Sequence, residues 1–139
     1  MKLVRIYQCL CDRTRLRILN LLLQGPLCVC HIQALLGERQ VKVSKHLRYL
    51  RASSLVESRK AGHWRVYQLP ARRSRELEAN LRCLQDCAAE DAGFRADAAK
   101  LKKLRGKISQ SEPMCGPDQG CSKSSGAPSE VFANVTNCP

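Results

Sequence analysis

The sequence predicts a mainly α-helical fold with a small β-hairpin, which is an α+β arrangement. Apolar residues recur at helical spacing before residue 54 and again after residue 70. Between these regions lie two β-prone runs, LVESRK and WRVYQL, separated by AGH, which is the spacing of a β-hairpin. Pro70 ends the second run. The chain has 139 residues, enough for one domain with a modest core.

Two helices are expected before residue 26. Residues 3–11, LVRIYQCLC, have the pattern of a short amphipathic helix. Asp12 is the expected N-cap of the next helix, because its carboxylate can accept a hydrogen bond from the first turn. Leucines recur at helical spacing in that second helix, and Gly25-Pro26 ends it.

The next two helices form a helix-turn-helix pattern. Residues 28–36 predict a short helix, and Gly37 stands where a left-handed C-cap is expected. Residues 41–53, VKVSKHLRYLRAS, predict a second helix that is rich in basic side chains. Two short helices joined through a glycine turn are typical of this motif.

Two further helical patterns follow Pro70. Leucines repeat at helical spacing over about 72–90, and a weaker pattern continues over 92–108. Residues 109–139 contain four prolines and three glycines without any period, and we expect a disordered, cysteine-containing tail there. The chain is therefore divided into residues 1–91, 92–108 and 109–139.

The charge of the chain is concentrated in one segment. The net charge is +12, and residues 39–73 hold ten Lys and Arg side chains against a single acid, Glu57. Such a basic block indicates a surface that binds a polyanion. Nucleic acid is the first candidate partner, and an anionic membrane surface is the second.

The expected role of the cysteines depends on whether the protein is in a reducing or an oxidising compartment. No apolar run approaches the ~18 residues of a membrane span. Charged residues interrupt the N-terminus, so we expect no membrane segment, no secretion signal and a cytoplasmic location. A reducing cytoplasm disfavours structural disulfides, and the nine cysteines are an odd number. Metal binding or redox chemistry is the expected use of these thiols.

The basic helix at 41–53 has two distinct faces. Val43, Leu47 and Leu50 share the face expected to pack on the core. The opposite face suits the major groove, where Lys and Arg recognise guanine edges. The residues expected to contact DNA on this helix and on the hairpin are Gln40, Lys42, Ser44, Lys45, Arg48, Arg59, Lys60 and Arg65.

Three segments of the chain resemble a known protein family in their residues, their order and their spacing. LCDRTRLRILNLLL, CVCHIQALLG and RQVKVSKHLRYLRASSLVESRKAGHWRVYQL resemble the ArsR–SmtB family of metal-responsive repressors over about residues 3–90. LCVC resembles the arsenic- and antimony-sensing branch and its cadmium- and lead-sensing relatives.

The resemblance implies a winged helix-turn-helix homodimer that holds double-stranded operator DNA and releases it when an effector binds. It implies that the dimer contact uses helices at about 3–11 and 72–90. Residues 1–91 would then be the DNA-binding and dimerisation domain, and 92–108 a C-terminal helical extension. The implied effector is arsenite or antimonite, with no catalytic cofactor.

The chain departs from the family pattern at three places. The arsenic-sensing branch often has a third cysteine where this chain has Gln33. The basic helix is preceded by Arg39 instead of the usual Ser or Thr, and Arg is a poor N-cap. No histidine stands on the last helix of the domain, where zinc-sensing relatives place ligands.

Cys28 and Cys30 are the candidate effector ligands. Residues two apart point to nearly opposite sides of a helix but to the same side of an extended chain. The two thiols can therefore meet on one ion only if the backbone at the helix start is extended or unwound. Thiolates suit trivalent arsenic or antimony, and also cadmium or lead. The alternative is that both cysteines are buried as small apolar residues.

Trivalent arsenic prefers three donors, and the sequence leaves the third one open. Cys9 and Cys11 are the candidates, since either could reach across a dimer. Cys83 and Cys87 stand at i and i+4 of a helix, where they could form an auxiliary site or pack at the dimer face. The last three cysteines lie in the expected tail: Cys115, Cys121 and Cys138.

Catalysis has little support in the sequence. The three histidines do not combine with serine, cysteine or carboxylate residues into a recognisable catalytic set. Two non-enzymatic alternatives remain besides the metalloid-sensing repressor. One is a repressor of the same fold that responds to cadmium, lead or thiol oxidation. The other is an architectural nucleic-acid-binding protein without an effector, which would leave the cysteine pairs unexplained.

Overall fold

The computed structural model describes residues 2–108, which form six helices and a three-stranded sheet. The helices are α1 (Lys2–Leu10), α2 (Arg13–Leu23), α3 (Val29–Leu36), α4 (Gln40–Ala52), α5 (Arg75–Glu90) and α6 (Ala92–Ile108). The strands are β1 (Leu27–Cys28), β2 (Glu57–Ala61) and β3 (Trp64–Gln68). The mainly helical α+β fold is confirmed. The expected tail at 109–139 lies outside the described residues.

Helix α2 is the central helix of the core. Its Ile18 and Leu19 are completely buried, and α1, α3, α4, α5 and α6 all pack against it. The predicted N-cap is confirmed, because the Asp12 carboxylate accepts a hydrogen bond from the Arg15 N–H at 2.9 Å. Burial would raise the pKa of Asp12, but this hydrogen bond and the nearby His46 and Arg15 charges lower it overall.

Helices α3 and α4 form the helix-turn-helix. Helix α3 ends at Gly37, which has the left-handed φ of 67° and donates its N–H to the Gln33 carbonyl at 3.0 Å. This is the C-cap that the sequence predicts, and it turns the chain into α4. The apolar face of α4 is also as predicted, since Val43, Leu47 and Leu50 are fully buried.

The wing is an antiparallel sheet with the strand order β1-β3-β2. The predicted hairpin is confirmed as β2 and β3, and Gly62 adopts a positive φ of 62° in its turn. Strand β1 was not predicted, because a strand of two residues is too short to show a hydrophobic period. Strand β1 pairs Leu27 with Tyr67 and Cys28 with Val66, which joins the wing to the start of α3.

Helix α6 packs against α2, α3 and α5. Its Phe94 and Leu101 are buried in the core that the other helices share. The buried Asp97 carboxylate accepts hydrogen bonds from the Arg17 guanidinium at 2.7 Å, which connects α6 to α2. The Lys100 ammonium donates to the Leu35 carbonyl of α3 at 3.5 Å. Residues 92–108 are therefore in direct contact with the helix-turn-helix.

Two surfaces of the described chain bear on assembly. Val4 and Tyr7 leave large apolar side chains about half exposed on the outer face of α1. Helix α1 also packs against α5, whose outer face carries polar residues and exposed cysteines.

Between residues 2 and 108, no helix is both long enough and apolar enough to cross a bilayer.

Candidate thiol site and nucleic-acid interface

The thiol site lies where strand β1 becomes helix α3. Cys28 is the last residue of β1 and the N-cap of α3, and its backbone is extended with φ −81° and ψ 162°. Cys30 and His31 follow in the first turn of the helix. The Sγ atoms of both cysteines and a ring nitrogen of His31 all lie within 4.8 Å of one another. The extended backbone that the cysteine spacing requires is confirmed.

All three side chains of this thiol site are buried, with at most 8% of each residue exposed. The hydrogen bond between the two cysteines and then burial raise the pKa of Cys28 to about 12, while a hydrogen bond with His31 opposes this rise. Cys28 is therefore a neutral thiol near neutral pH. A ligand that binds this sulfur must displace its proton.

His31 belongs to this cluster, although the sequence motifs did not predict it as a ligand. His31 lies near Cys28 because Cys28 is the N-cap and His31 is the third residue of α3, and side chains at these two positions lie over the same side of the first turn. The spacing of three between Cys28 and His31 is the signal that would have found it.

The two proposed third donors lie outside this cluster. Cys9 is completely buried on α1, and Cys11 is exposed just after the end of α1. Within one chain, neither belongs to the group formed by Cys28, Cys30 and His31.

Cys83 and Cys87 form a further cysteine pair, which is exposed on α5. The Cys83 thiol interacts with Cys87 through charge and then through a hydrogen bond, and both effects raise the pKa of Cys87. Cys115, Cys121 and Cys138 lie outside the described residues.

The outer face of α4 presents the side chains that the sequence assigns to DNA. Gln40, Lys45 and Arg48 are exposed, and Ser44 is partly buried. Val41 is 82% exposed, which is unusual for an apolar side chain on a helix that is otherwise packed on the core. Lys42 is also exposed, and its ammonium forms an ion pair with the Glu38 carboxylate at 2.8 Å.

The start of α4 is open to an anion. Arg39 stands at the N-cap position and makes no side-chain capping hydrogen bond, and the first turn of α4 contains no acid. The free N–H groups and the positive end of the helix dipole therefore favour a phosphate at this place.

The basic side chains of the wing are held in an exposed position. Arg59 of β2 donates its Nε–H to the Gln68 side-chain oxygen at 3.3 Å. Arg65 of β3 donates to the Ser58 hydroxyl at 3.1 Å. Lys60 is exposed and lies opposite Arg65 in the strand register. These three cations can contact the phosphate backbone beside the groove.

Comparison with known proteins identifies the family. The model of the bacterial regulatory protein arsR family matches residues 12–58, which run from the cap of α2 to β2. The chain is 39% identical over 88 residues to the arsenical resistance operon repressor of Escherichia coli (strain K12), covering 60% of this chain and 75% of the repressor. It is 32% identical over 111 residues to the arsenic resistance transcriptional regulator ArsR1 of Pseudomonas putida, covering 79% of this chain and 84% of that regulator.

The solved structure of reduced HlyU from Vibrio cholerae N16961 is also similar. It superposes with a TM-score of 0.56 at 31% identity, over 62% of this chain and 87% of HlyU. The resemblance seen in the sequence motifs is thus confirmed by relatives that span most of the described domain. The chain belongs to the ArsR family of bacterial regulatory proteins.

Proposed function

We propose that this protein is a metalloid-responsive transcriptional repressor. It binds operator DNA as a homodimer and leaves the DNA when trivalent arsenic or antimony binds Cys28 and Cys30. One observation carries the proposal: the residue that offers the first thiol is also the point where the wing joins the helix-turn-helix.

The DNA-binding step uses α4 in the major groove. Lys45 and Arg48 are exposed on α4 and would recognise guanine edges, and the exposed Val41 would contact a thymine methyl group. Gln40 and Lys42 stand at the start of α4, which points toward bases and phosphates in helix-turn-helix proteins. The wing cations Arg59, Lys60 and Arg65 add phosphate contacts, and Ser44 stands beside the groove face.

Dimerisation uses the exposed faces of α1 and α5. Val4 and Tyr7 offer apolar area that a second copy of the chain would bury. A twofold dimer places two copies of α4 in successive major grooves, which matches a palindromic operator. In this proposal residues 1–91 supply DNA binding and dimerisation, 92–108 extend the core, and 109–139 are dispensable.

The effector step exchanges oxygen for sulfur on arsenic. Each thiol forms an As–S bond while one As–OH bond breaks, and the thiol proton leaves with that hydroxide as water. Two such exchanges with Cys28 and Cys30 release two waters, and arsenic stays trivalent throughout. The third position keeps its hydroxide or takes Cys9 or Cys11. Cys11 is exposed just after the end of α1, which is one of the two helices proposed for the dimer contact.

Chelation at residue 28 acts on both DNA-binding elements. Pulling the Cys28 and Cys30 sulfurs together changes the backbone at the N-cap of α3, and α3 packs against α4. The same residue pairs with Val66 of β3, so the wing shifts as well. Arsenite promotes release of the operator if it binds more tightly to the protein with the shifted α3 and wing than to the DNA-bound protein.

The test is release of a fluorescent operator duplex, obtained by selection from a random-sequence pool. Anisotropy is measured with arsenite under a phosphine reductant, because a thiol reductant would compete for arsenic and an oxidised protein would mimic release. Cys28→Ser and Cys30→Ser keep the side-chain volume but replace a soft donor by a hard one. Both should bind the operator and stay bound when arsenite is added.

The exposed pair on α5 supplies the matched control, with the dimer checked by sedimentation because α5 belongs to the proposed dimer contact. As a dimer, Cys83→Ser with Cys87→Ser should release the operator at the same arsenite concentration as the parent protein. Parent-like release by both Cys28→Ser and Cys30→Ser would place the sensing site elsewhere. Release by oxidant alone, with no response to arsenite under reduction, would favour the thiol redox repressor.

A further inference from the structure

A cationic cavity lies at the junction of three helices, outside the thiol site. It has a volume of about 260 Å³ and lies between the start of α1, the turn after α4 and the segment that leads into α5. Four basic residues from two separate parts of the chain line it: Lys2, Arg5, Arg72 and Arg73. Among the described residues, no Asp or Glu lines this junction cavity. An anion is therefore the class of ligand that suits it.

Two of these four cations are free to bind a ligand. Within residues 2–108, the guanidinium groups of Arg5 and Arg72 form no hydrogen bond and no ion pair, and both residues are exposed. Lys2 interacts electrostatically with Glu76 in the first turn of α5. Positive charges that are gathered around one cavity repel one another, and a bound anion would relieve this repulsion.

Arg73 is held in position by the protein itself. Its Nε–H donates to the Pro70 carbonyl at 3.2 Å, and one of its terminal nitrogens pairs with the Glu78 carboxylate at 3.2 Å. A guanidinium has more N–H donors than these two contacts use, so others remain for a ligand. Because Arg73 is already ordered by these contacts, less conformational entropy is lost when an anion binds.

The turn after α4 adds serines to the cavity lining. Ser53 and Ser54 both line the cavity, and Ser54 has a left-handed φ of 59°. Its N–H donates to the Arg51 carbonyl at 2.9 Å, and the N–H of Leu55 donates to the Leu50 carbonyl at 3.0 Å. Glycine is favoured at such a helix end because it adopts this φ without strain. Serine at this position provides a hydroxyl that glycine lacks, and a hydroxyl can donate a hydrogen bond to an anion.

We propose that the junction cavity binds a phosphate group. The oxygens and the negative charge of a phosphate match the planar donors of arginine. A carboxylate offers a single charge and fewer oxygens, so it would leave part of this cationic cluster unpaired. The phosphate is either free inorganic phosphate or part of a DNA backbone, and binding experiments distinguish the two sources. The inference goes beyond the proposed function and does not depend on the thiol site.

The position of the cavity favours free phosphate over a DNA phosphate. Helix α4 has 13 residues, so its last residue lies about 18 Å along the helix axis from Gln40, at about 1.5 Å per residue. On α1, Arg5 and Tyr7 are two residues apart and therefore point to nearly opposite sides of the helix. The cavity is thus separate from the start of α4 and from the Tyr7 side of α1, which is proposed for the dimer. Phosphate bound there would link α1, α4 and α5 within one chain.

The first experiment measures thermal unfolding and calorimetric binding of the reduced full-length protein, with inorganic phosphate compared with chloride at equal ionic strength. The parent should bind one phosphate per chain, and phosphate should raise its melting temperature more than chloride does. Arg5→Gln combined with Arg72→Gln should weaken phosphate binding by about tenfold or more, because each substitution removes a charge-assisted hydrogen bond. Circular dichroism and sedimentation check that this double variant is folded and dimeric.

Lys102→Gln combined with Lys103→Gln is the matched control, because both lysines are exposed on α6 and neither lines the cavity. This control should bind phosphate like the parent. Ser54→Gly should bind phosphate more weakly, whereas its melting temperature in chloride should be at least as high as that of the parent, because glycine suits the left-handed turn. Weaker binding without lower stability separates a ligand contact from a merely structural role.

The second experiment measures operator affinity against salt concentration in phosphate-free buffer. If the DNA backbone supplies the phosphate, Arg5→Gln with Arg72→Gln should reduce the slope of log affinity against log salt by about one for each lost contact. If free phosphate is the source, the double variant should have the same slope as the parent and should lose only the binding of inorganic phosphate.

Parent-like phosphate binding in the double variant would overturn this inference. So would a parent protein that phosphate stabilises no more than chloride does, together with an operator salt slope that the double variant leaves unchanged. Neither result bears on the arsenite proposal, which fails only if Cys28→Ser and Cys30→Ser keep their arsenite response.

Discussion

Removal of the Asp97 carboxylate should destabilise the whole described domain. Asp97 is only 1% exposed, and both of its oxygens accept hydrogen bonds from Arg17 at 2.7 Å. Truncating one partner of a buried ion pair typically costs about 3–5 kcal/mol, because the other charge is left unpaired. The Arg17 side chain is 20% exposed and regains some hydration. We therefore expect Asp97→Ala to lower the free energy of unfolding by about 2–4 kcal/mol.

The assay is urea denaturation followed by circular dichroism at a fixed protein concentration, with the midpoint lowered and the slope unchanged. Arg17→Met combined with Asp97→Leu should recover most of the stability, because apolar side chains then fill the space without an unpaired charge. Glu78→Ala, which breaks the exposed ion pair with Arg73, is the matched control and should have a much smaller effect.

A loss below about 0.5 kcal/mol for Asp97→Ala, typical of an exposed ion pair, would refute the reasoning. It would mean that α6 does not pack on α2 in solution.

Three further predictions concern the cap, the DNA contacts and the tail. Asp12→Ala should lower the free energy of unfolding by about 1 kcal/mol at neutral pH. Because the pKa of Asp12 is lowered in the folded protein, the difference in unfolding free energy between parent and variant should vanish as the pH falls through that pKa, as measured by urea denaturation. Lys45→Ala should weaken operator binding and relax base preference, whereas Lys60→Ala should weaken binding to operator and random DNA alike, as measured by anisotropy; equal losses on both DNAs for Lys45→Ala would remove it from base recognition. Truncation after Ile108 should leave the dimer and its operator affinity unchanged in sedimentation and anisotropy, and a monomeric product would contradict this.

Local signals predicted the helix-turn-helix well. Asp12, Gly37 and the buried face of α4 each follow from a short-range rule: a capping side chain, a left-handed glycine and a helical period. The need for an extended backbone at Cys28 also follows from spacing alone. These features depend on residues a few positions apart, and a sequence displays them directly.

Features that depend on distant partners were not predictable in this way. Strand β1 exists because Leu27 and Cys28 pair with β3, about forty residues later. The weak helical period at 92–108 reflects Asp97, a charged residue on the buried face whose partner Arg17 lies on α2. His31 joins the thiol site through the geometry of the first turn of α3, and the periodic pattern of α3 does not show that geometry.

The most direct test of the central claim measures arsenite affinity twice, for the free protein and for the protein saturated with operator DNA. If Cys28 and Cys30 couple effector binding to DNA release, the two affinities must differ by the same factor as the operator affinities with and without arsenite. We expect arsenite to bind the DNA-bound protein at least about fivefold more weakly, the lower end of typical allosteric coupling. Equal arsenite affinities for the free and the DNA-bound protein would contradict the account.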